Sequence, residues 1–196
     1  MNENKKKKGY AGRAWNAIKY YPQTSYYIAY AYGRMRGMAQ PLISTEFNVH
    51  QIEEGVGVYI GDIASAYNHE KLKELGITHI LTAILGVQPQ FPKDFIYKTV
   101  PVRDVESENI QMHLEETTEF IKTAIESGGK VFVHCVCGVS RSATIIAAWM
   151  MSKDGYTAEE AISQLQSRRE CVDPNPSFRE QLDLLEDNII EKRKVK

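Results

Sequence analysis

Two reactive side chains, a thiol and a guanidinium, lie six positions apart in the segment HCVCGVSRS, residues 134–142. A loop that joins a strand to a helix directs several backbone N–H groups into one concavity at the positive end of the helix dipole, which favours anion binding. In comparable sites the pKa of a cysteine falls to about 3.5–7.5, so Cys135 is expected to be a thiolate nucleophile. The planar fork of Arg141 suits two oxygens of one phosphate, and Gly138 lets the backbone turn around that anion.

A nucleophile that cleaves a phosphate ester also needs a proton donor, because an alkoxide or phenolate leaves poorly at neutral pH. Three carboxylic acids follow the segment KTVPV: Asp104, Glu106 and Glu108. All three are chemically competent. A single aspartate in a loop is usually a solvated charge or a helix cap, so its assignment depends on an accompanying motif.

The elements that position these residues alternate between strands and helices from Phe47 onward. Such an order predicts an α/β fold with a central mixed, twisted sheet flanked by helices on both faces. Strands are predicted over residues 57–63, 78–84, 96–102 and 130–134, and helices over residues 65–76, 109–129, 142–155, 157–169 and 177–193.

Two of the predicted helices carry clear local signals. The helix over residues 109–129 places apolar side chains at steps of three and four and ends in two glycines, which is typical of an amphipathic helix. Thr157 lies three residues before Glu160, the spacing of a capping box at a helix start. The face of the first helix comprises Ile110, Leu114, Thr117, Ile121 and Ile125.

The segment HCVCGVSRS resembles the signature of the protein tyrosine phosphatase superfamily, and its Gly-Val-Ser-Arg-Ser form is most similar to the dual-specificity phosphatases. Three further segments are similar to matching blocks of that family in the same order: residues 58–81, 100–110 and 173–182. The resemblance covers about residues 47–190. It implies the dual-specificity phosphatase fold for that part of the chain.

The resemblance also implies a role for each residue of the loop. Cys135 attacks phosphorus and forms a phosphocysteine, while Arg141 and the backbone N–H groups of the loop hold the equatorial oxygens. Ser142 stabilises the thiolate as it leaves in the second step, and His134 fixes the loop geometry and tunes the thiol. The residues expected to bind substrate are Val136, Cys137, Gly138, Val139, Ser140 and Arg141.

Two residues outside the loop are assigned by the same resemblance. Asp104 occupies the position of the family's general acid, so it is favoured over the two nearby glutamates. Asn175 resembles the asparagine that braces the phosphate loop, although an asparagine between two prolines is also an ordinary turn residue.

The remaining cysteines have two open interpretations each. Cys137 is either a small filler of the loop or a partner that protects Cys135 by oxidation. Cys171 is either structural or a resolving thiol. We predict no metal site and no cofactor, because the adjacent histidine and cysteines belong to the phosphate loop.

The function that the resemblance implies is hydrolysis of phosphotyrosine and phosphoserine/phosphothreonine in a phosphoprotein, for example a protein kinase. A catalytically weak pseudophosphatase that binds phosphopeptides is a second hypothesis, which the intact Cys135, Arg141 and Asp104 oppose. Phosphatases of phosphoinositides or of RNA 5′ phosphates are further alternatives. The phosphoinositide alternative is disfavoured because Val136 and Val139 bring no positive charge to the loop. The RNA alternative is disfavoured because residues 47–196 carry a net charge of −7, so no nucleic-acid partner is expected.

The charge distribution separates an N-terminal extension (1–46) from the rest of the chain. The resemblance implies a catalytic domain over residues 47–190, which leaves a basic C-terminal tail (191–196). The N-terminal extension holds eight Lys/Arg against two Asp/Glu and seven of the eleven tyrosines. It is interpreted as an arm with a short helix over residues 11–21 that packs on the domain, as a docking segment for an acidic partner or an anionic membrane, or as a nuclear import signal. Three cysteines are too few for a disulfide framework, so we expect a reducing cytoplasmic or nuclear location.

Overall fold

A five-stranded mixed sheet lies at the centre of the computed structural model, which describes residues 47–194. The strand order is β1-β2-β5-β3-β4; β1 is antiparallel to β2, and the other neighbours are parallel. The predicted central mixed sheet is thereby confirmed. The interpretations of residues 1–46 and of the last two residues of the C-terminal tail lie outside the described residues. The strands are β1 (Val49–Gln51), β2 (Val58–Gly61), β3 (His79–Ala83), β4 (Ile96–Val100) and β5 (Val131–His134).

Helices cover both faces of this sheet, as predicted. Alternate residues of the central strands enter two separate apolar clusters, since successive side chains of a strand point to opposite faces. The smaller cluster packs under α1 and α2, and the larger one under α3 to α6. The helices are α1 (Ile63–Ala66), α2 (His69–Glu74), α3 (Gln111–Glu126), α4 (Arg141–Asp154), α5 (Ala158–Arg168) and α6 (Pro176–Lys194).

One predicted helix is wrong in its bounds, because residues 65–76 are divided between α1 and α2. The side chain of Asn68 accepts a hydrogen bond from Lys71 N at 3.2 Å and caps α2. Asp62 caps α1 in the same way, accepting from Ser65 N at 2.8 Å. Two short capped turns therefore replace one continuous helix, since an asparagine or aspartate side chain competes for backbone N–H groups.

The strand β1 was not predicted. Its three residues are half-buried or exposed, so they show neither an apolar run nor a clear alternation. The strand forms by pairing with β2, in the register Val49 to Gly61 and Gln51 to Tyr59. This pairing places Asn48 and His50 at the edge of the sheet, close to the loop that follows β5.

The helix α4 runs through the middle of the helical layer and positions the predicted site at its N-terminus. Its first eleven residues, Arg141 to Met151, are all buried, which explains why the segment is apolar on every side. The helix ends at Gly155, which adopts a left-handed φ of 77°. The strand β5 leads directly into this helix through the loop of residues 135–140.

The local predictions for α3 and α5 are confirmed. On α3, the predicted apolar face is buried, and its last member, Ile125, packs against the core. At the start of α5, Thr157 and Glu160 form both hydrogen bonds of a capping box. Among residues 47–194, none of the helices combines the length and apolar character needed to cross a bilayer.

Candidate active site

The phosphate loop, residues 135–141, begins at the carboxyl end of β5 and ends in the first residue of α4. The strand β5 is central, because it pairs with β2 on one side and β3 on the other. The loop therefore stands between the ends of parallel strands, where α/β proteins commonly bind ligands. The glycine of the loop, Gly138, has a φ of 67°. A Cβ atom at this position would lie 2.5 Å from the carbonyl oxygen of Gly61, so only glycine fits here.

The thiol of Cys135 is buried at the base of the loop, with 1% of the residue exposed. Its Sγ accepts hydrogen bonds from Gly138 N at 3.3 Å and from Ser142 Oγ at 3.4 Å. Burial opposes ionisation, but the charge of Arg141 and the hydrogen bonds from Ser142 outweigh it, and the pKa of Cys135 falls below its usual value. A lowered pKa is the direction of shift that a nucleophilic thiol needs.

Arg141 projects toward the same space and is also buried. Its Nη1 donates long hydrogen bonds, both 3.4 Å, to the carbonyl oxygens of Ala83 and Val102, which fix the guanidinium between the ends of β3 and β4. Its Nε lies 3.6 Å from Asp104 Oδ2 and donates no hydrogen bond within residues 47–194. A buried guanidinium N–H without an acceptor is costly, and a bound oxyanion would satisfy it.

Asp104 lies on the loop after β4 and faces the phosphate loop. Its Oδ1 accepts hydrogen bonds from Ser140 Oγ at 2.7 Å and from Asn175 Nδ2 at 3.0 Å. Of the two alternative acids, Glu106 is exposed, and Glu108 Oε2 accepts from Arg103 Nε at 2.6 Å. The structure thus brings Asp104 to the phosphate loop and places both glutamates elsewhere.

Asn175 contacts both the phosphate loop and Asp104. Its backbone N–H donates to Ser140 Oγ at 3.2 Å, while its Oδ1 accepts from Phe178 N at 3.0 Å in the first turn of α6. The prediction of a bracing asparagine concerned the loop alone. In the structure the side chain of Asn175 holds Asp104, and its backbone holds the loop through Ser140.

His134 is buried at the end of β5 and lies behind the loop. One ring nitrogen, Nε2, is 2.9 Å from Thr82 Oγ1, and the other, Nδ1, is 3.3 Å from the carbonyl oxygen of Cys135. Burial lowers the pKa of His134 to about 4, so the ring is neutral at neutral pH. A neutral ring with both nitrogens engaged suits a structural role better than proton transfer.

The other predicted substrate-binding residues lie around the rim of the loop. Val136, Cys137 and Val139 are each partly buried. Burial raises the pKa of Cys137 to about 12, so its thiol stays protonated when Cys135 is ionised. Cys171 is exposed in the turn that follows α5, and all three cysteines are free.

The sequence analysis missed three residues behind the loop: Arg169, Asn48 and His50. The guanidinium of Arg169 is buried and donates to the carbonyl oxygens of Cys137 and Gly138, at 3.0 and 2.8 Å. In the sequence Arg169 is the second of two arginines in a helix ending, where a solvated charge is the ordinary interpretation. No local sequence pattern distinguishes Arg169 from its exposed neighbour Arg168.

Within residues 47–194, no group of three or more His, Cys, Asp or Glu side chains is arranged to hold a metal ion. The polar atoms of the site are instead a thiol, hydroxyls, N–H donors and one carboxylate. This donor set suits a phosphate group, whose oxygens accept hydrogen bonds and whose charge Arg141 balances.

Comparisons with known proteins identify the domain. The family model described as "Dual specificity phosphatase, catalytic domain" matches residues 58–188. Dual specificity protein phosphatase 1 of Arabidopsis thaliana is 42% identical over 133 residues, which are 68% of this chain and 67% of that protein. Dual specificity protein phosphatase 1B of the same plant is 38% identical over 151 residues, 77% of this chain and 89% of that one.

The fold is also similar to solved structures. The crystal structure of the human tyrosine phosphatase-like serine/threonine/tyrosine-interacting protein is 32% identical with a TM-score of 0.70, and the match covers 74% of this chain and 99% of that chain. The phosphate loop, the buried thiol and these matches agree: the chain belongs to the dual specificity phosphatase family of cysteine-dependent protein phosphatases.

Proposed function

We propose that Cys135 is the nucleophile of a phosphatase that hydrolyses phosphotyrosine and phosphoserine/phosphothreonine in proteins. The observation that carries this proposal is the thiol itself. It is buried at the base of the loop, its pKa is lowered, and its Sγ accepts hydrogen bonds from Gly138 N and Ser142 Oγ. Those two donors stabilise a thiolate.

In the first step the Sγ–P bond forms and the ester P–O bond breaks. Arg141 and the N–H groups of the loop hold the equatorial oxygens as negative charge spreads over them. Asp104 gives its proton to the departing oxygen. The guanidinium of Arg141 lies between Asp104 and the proposed phosphate position, with its Nε 3.6 Å from Asp104 Oδ2.

In the second step the carboxylate of Asp104 takes a proton from water, and the resulting hydroxide attacks phosphorus. The S–P bond breaks, inorganic phosphate leaves, and the thiolate is released. Ser142 Oγ, 3.4 Å from Sγ, is placed to stabilise that thiolate. Ser140 and Asn175 hold Asp104 at the edge of the loop in both steps.

Turnover of an aryl phosphate tests these assignments. The protein should release phosphate in the presence of a chelator, and Cys135→Ser should abolish release. Cys171→Ser is the matched control, because this thiol is exposed and lies outside the loop. If no turnover is seen between pH 5 and pH 7.5, or if Cys135→Ser stays active, the proposed mechanism is wrong.

The rim of the loop supports a phosphoprotein substrate. Val136 and Val139 bring no positive charge to the phosphate, whereas a multiply phosphorylated headgroup would need additional cations. A panel of phosphopeptides, a phosphoinositide and an RNA 5′ triphosphate separates the three substrate classes. A preference for the phosphoinositide or for the RNA 5′ triphosphate would overturn the proposed phosphoprotein substrate.

We also propose that residues 1–46 recruit the phosphatase to an acidic partner, such as the acidic surface of a protein kinase. Support comes from the eight Lys/Arg and seven tyrosines of this segment, opposite in charge to residues 47–196. The full chain and a variant that begins at Phe47 should differ in KM for a phosphoprotein but not for an aryl phosphate. Binding to anionic vesicles instead would assign the segment to a membrane surface.

The reducing cytoplasm or nucleus is the proposed location, since a thiolate nucleophile with a second cysteine two residues away needs a reducing environment. Imaging of the tagged full chain tests it. Accumulation in a secretory compartment would contradict it.

A further inference from the structure

The geometry points to Arg169 as a positioning residue that orients the peptide groups of the phosphate loop toward the thiolate and the bound phosphate. This inference rests on the proposed function of Cys135 and extends it to a residue outside the loop and outside the general-acid segment. Arg169 follows the last residue of α5, and only 2% of it is exposed.

The guanidinium of Arg169 is hydrogen-bonded to two consecutive carbonyl groups on the outer side of the loop. Nε donates to Gly138 O at 2.8 Å, and Nη2 donates to Cys137 O at 3.0 Å. Hydrogen bonds from a charged donor are shorter and stronger than neutral ones, and the planar fork fixes the two acceptors relative to each other. A lysine ammonium has no such fixed pair of donors.

The neighbouring carbonyls of the loop are held by backbone groups instead. Val136 O accepts from Ile63 N at 3.1 Å, and Val139 O accepts from Asp173 N at 3.0 Å. Four consecutive carbonyls, from residue 136 to residue 139, therefore have donors on the outer side of the loop. Arg169 supplies the donors for the two central carbonyls, those of Cys137 and Gly138. No other described side chain is hydrogen-bonded to these two carbonyls.

The two carbonyls that Arg169 holds belong to peptide groups whose N–H bonds point the other way, since C=O and N–H are opposed in a trans peptide. The first of these groups joins Cys137 to Gly138. Its N–H donates to Cys135 Sγ at 3.3 Å while its carbonyl accepts from Arg169. One peptide plane is thus held at both ends, by the guanidinium outside and by the thiolate inside.

The second peptide group joins Gly138 to Val139. Because its carbonyl faces Arg169, its N–H is directed away from Arg169, toward the inner side of the loop. That side is where the equatorial oxygens of the phosphate are proposed to bind. Arg169 therefore acts on one donor of the thiolate and on one donor of the substrate.

The other side of the guanidinium is fixed to the sheet edge. Nη1 donates to Asn48 Oδ1 at 2.6 Å and lies 2.9 Å from His50 Nδ1. Burial, followed by the charge of Arg169, lowers the pKa of His50. A neutral imidazole has one acceptor nitrogen, which suits a contact with a guanidinium. The strand β1 thus has a functional consequence, since His50 in the strand and Asn48 just before it hold the guanidinium of Arg169 against the loop.

Substitution of Arg169 tests this inference with readouts that do not need turnover. Arg169→Met keeps an unbranched apolar side chain up to the position of Nε and removes all of the donors. Arg169→Lys keeps the charge but removes the fork. Arg168→Met is the matched control, because Arg168 is the exposed neighbour. The thiol pKa is measured from the pH dependence of Cys135 alkylation, and anion affinity from protection of the thiol by inorganic phosphate.

We expect Arg169→Met to raise the thiol pKa by about one unit and to weaken phosphate protection roughly tenfold, the lower end of the loss that follows removal of a residue that orients a metal ligand. Arg169→Lys should show a smaller change in the same direction, and Arg168→Met no change. The kcat for an aryl phosphate should fall in the same order.

Arg169→Lys decides the question if Arg169→Met does not fold, since lysine preserves charge and most of the packing. An unchanged thiol pKa and unchanged phosphate protection in a folded Arg169 variant would overturn the inference. Failure of the proposed function looks different: the wild-type thiol would then neither ionise below pH 8 nor be protected by phosphate.

Discussion

Mild acid should destabilise this phosphatase through one buried group, His134. In the folded protein the ring is enclosed between Thr82 Oγ1 and the carbonyl oxygen of Cys135 and stacks on Phe132, with ring centroids 5.4 Å apart. Burial lowers its pKa from 6.5 to about 4. The unfolded chain has no such enclosure, so its histidine takes up a proton near the usual value.

The direction in which the free energy of unfolding changes with pH follows from proton linkage. Between pH 6.5 and pH 4 the unfolded state binds one more proton at this position than the folded state, so the free energy of unfolding falls as the pH falls. The slope approaches 1.4 kcal/mol per pH unit within that window. From pH 7 to pH 5 the two pKa values give a loss of about 2 kcal/mol, most of which occurs below pH 6.5.

Urea unfolding at pH 7 and pH 5 measures this loss when the wild-type protein is compared with His134→Gln. A glutamine amide offers a donor and an acceptor to the same two neighbours but does not titrate. Other groups with shifted pKa values, such as Glu116 and His79, are shared by both proteins and cancel in the comparison. The wild-type protein should lose about 2 kcal/mol more than the variant between the two pH values.

Equal losses in the two proteins, with equal m-values, would refute the reasoning. The same result would follow if the ring of His134 were protonated in the folded state at pH 5.5, which the NMR shift of its Hε1 proton reports directly. A smaller stability of His134→Gln at both pH values is expected from repacking and does not bear on the linkage, because only the pH dependence isolates the proton.

Three further outcomes follow from the site. Asp104→Asn should lower kcat for an aryl phosphate roughly 10²-fold or more with little change in KM, and an unchanged kcat in steady-state assays would exclude it as the general acid. Gly138→Ala should lower stability by about 2 kcal/mol or more in thermal unfolding, because its φ is 67° and the added Cβ would lie 2.5 Å from Gly61 O; an unchanged Tm would contradict this. At pH 7 iodoacetamide should label Cys135 well before Cys137, whose pKa burial raises to about 12, and equal labelling by peptide mass spectrometry would count against the assignment.

Long, strongly patterned elements of this fold were predictable from the sequence. The helix α3 shows its buried face in the spacing from Ile110 to Ile121, and α5 shows its start in the Thr157 capping box. The sheet was predictable because its central strands are continuous apolar runs between turns. Short elements were not: β1 has three residues, and the division of α1 from α2 depends on the Asn68 cap rather than on hydrophobic spacing.

The candidate site likewise contains some residues that the sequence predicts and others that it does not. Cys135, Arg141 and Ser142 lie within one motif, so their proximity was fixed by eight positions of chain. Asp104 lies 36 residues from Ser140, to which it is hydrogen-bonded, and only the family resemblance selected it over Glu106 and Glu108. Its contact with Asn175, 71 residues away, is set by how the loops after β4 and α5 meet.

Arg169 shows why the supporting residues of a site are the hardest to predict. Its function depends on no side-chain pattern, because its acceptors on the loop are backbone carbonyls, which every residue carries. What distinguishes it from Arg168 is its burial and the direction of its guanidinium, both of which arise only when α5, β1 and the loop are assembled. A loop that turns its N–H groups inward must turn its carbonyls outward, so a phosphate site of this kind needs donors behind it as well as an anion in front. The residues behind the loop therefore contribute to phosphate binding by orienting the N–H groups that face the anion.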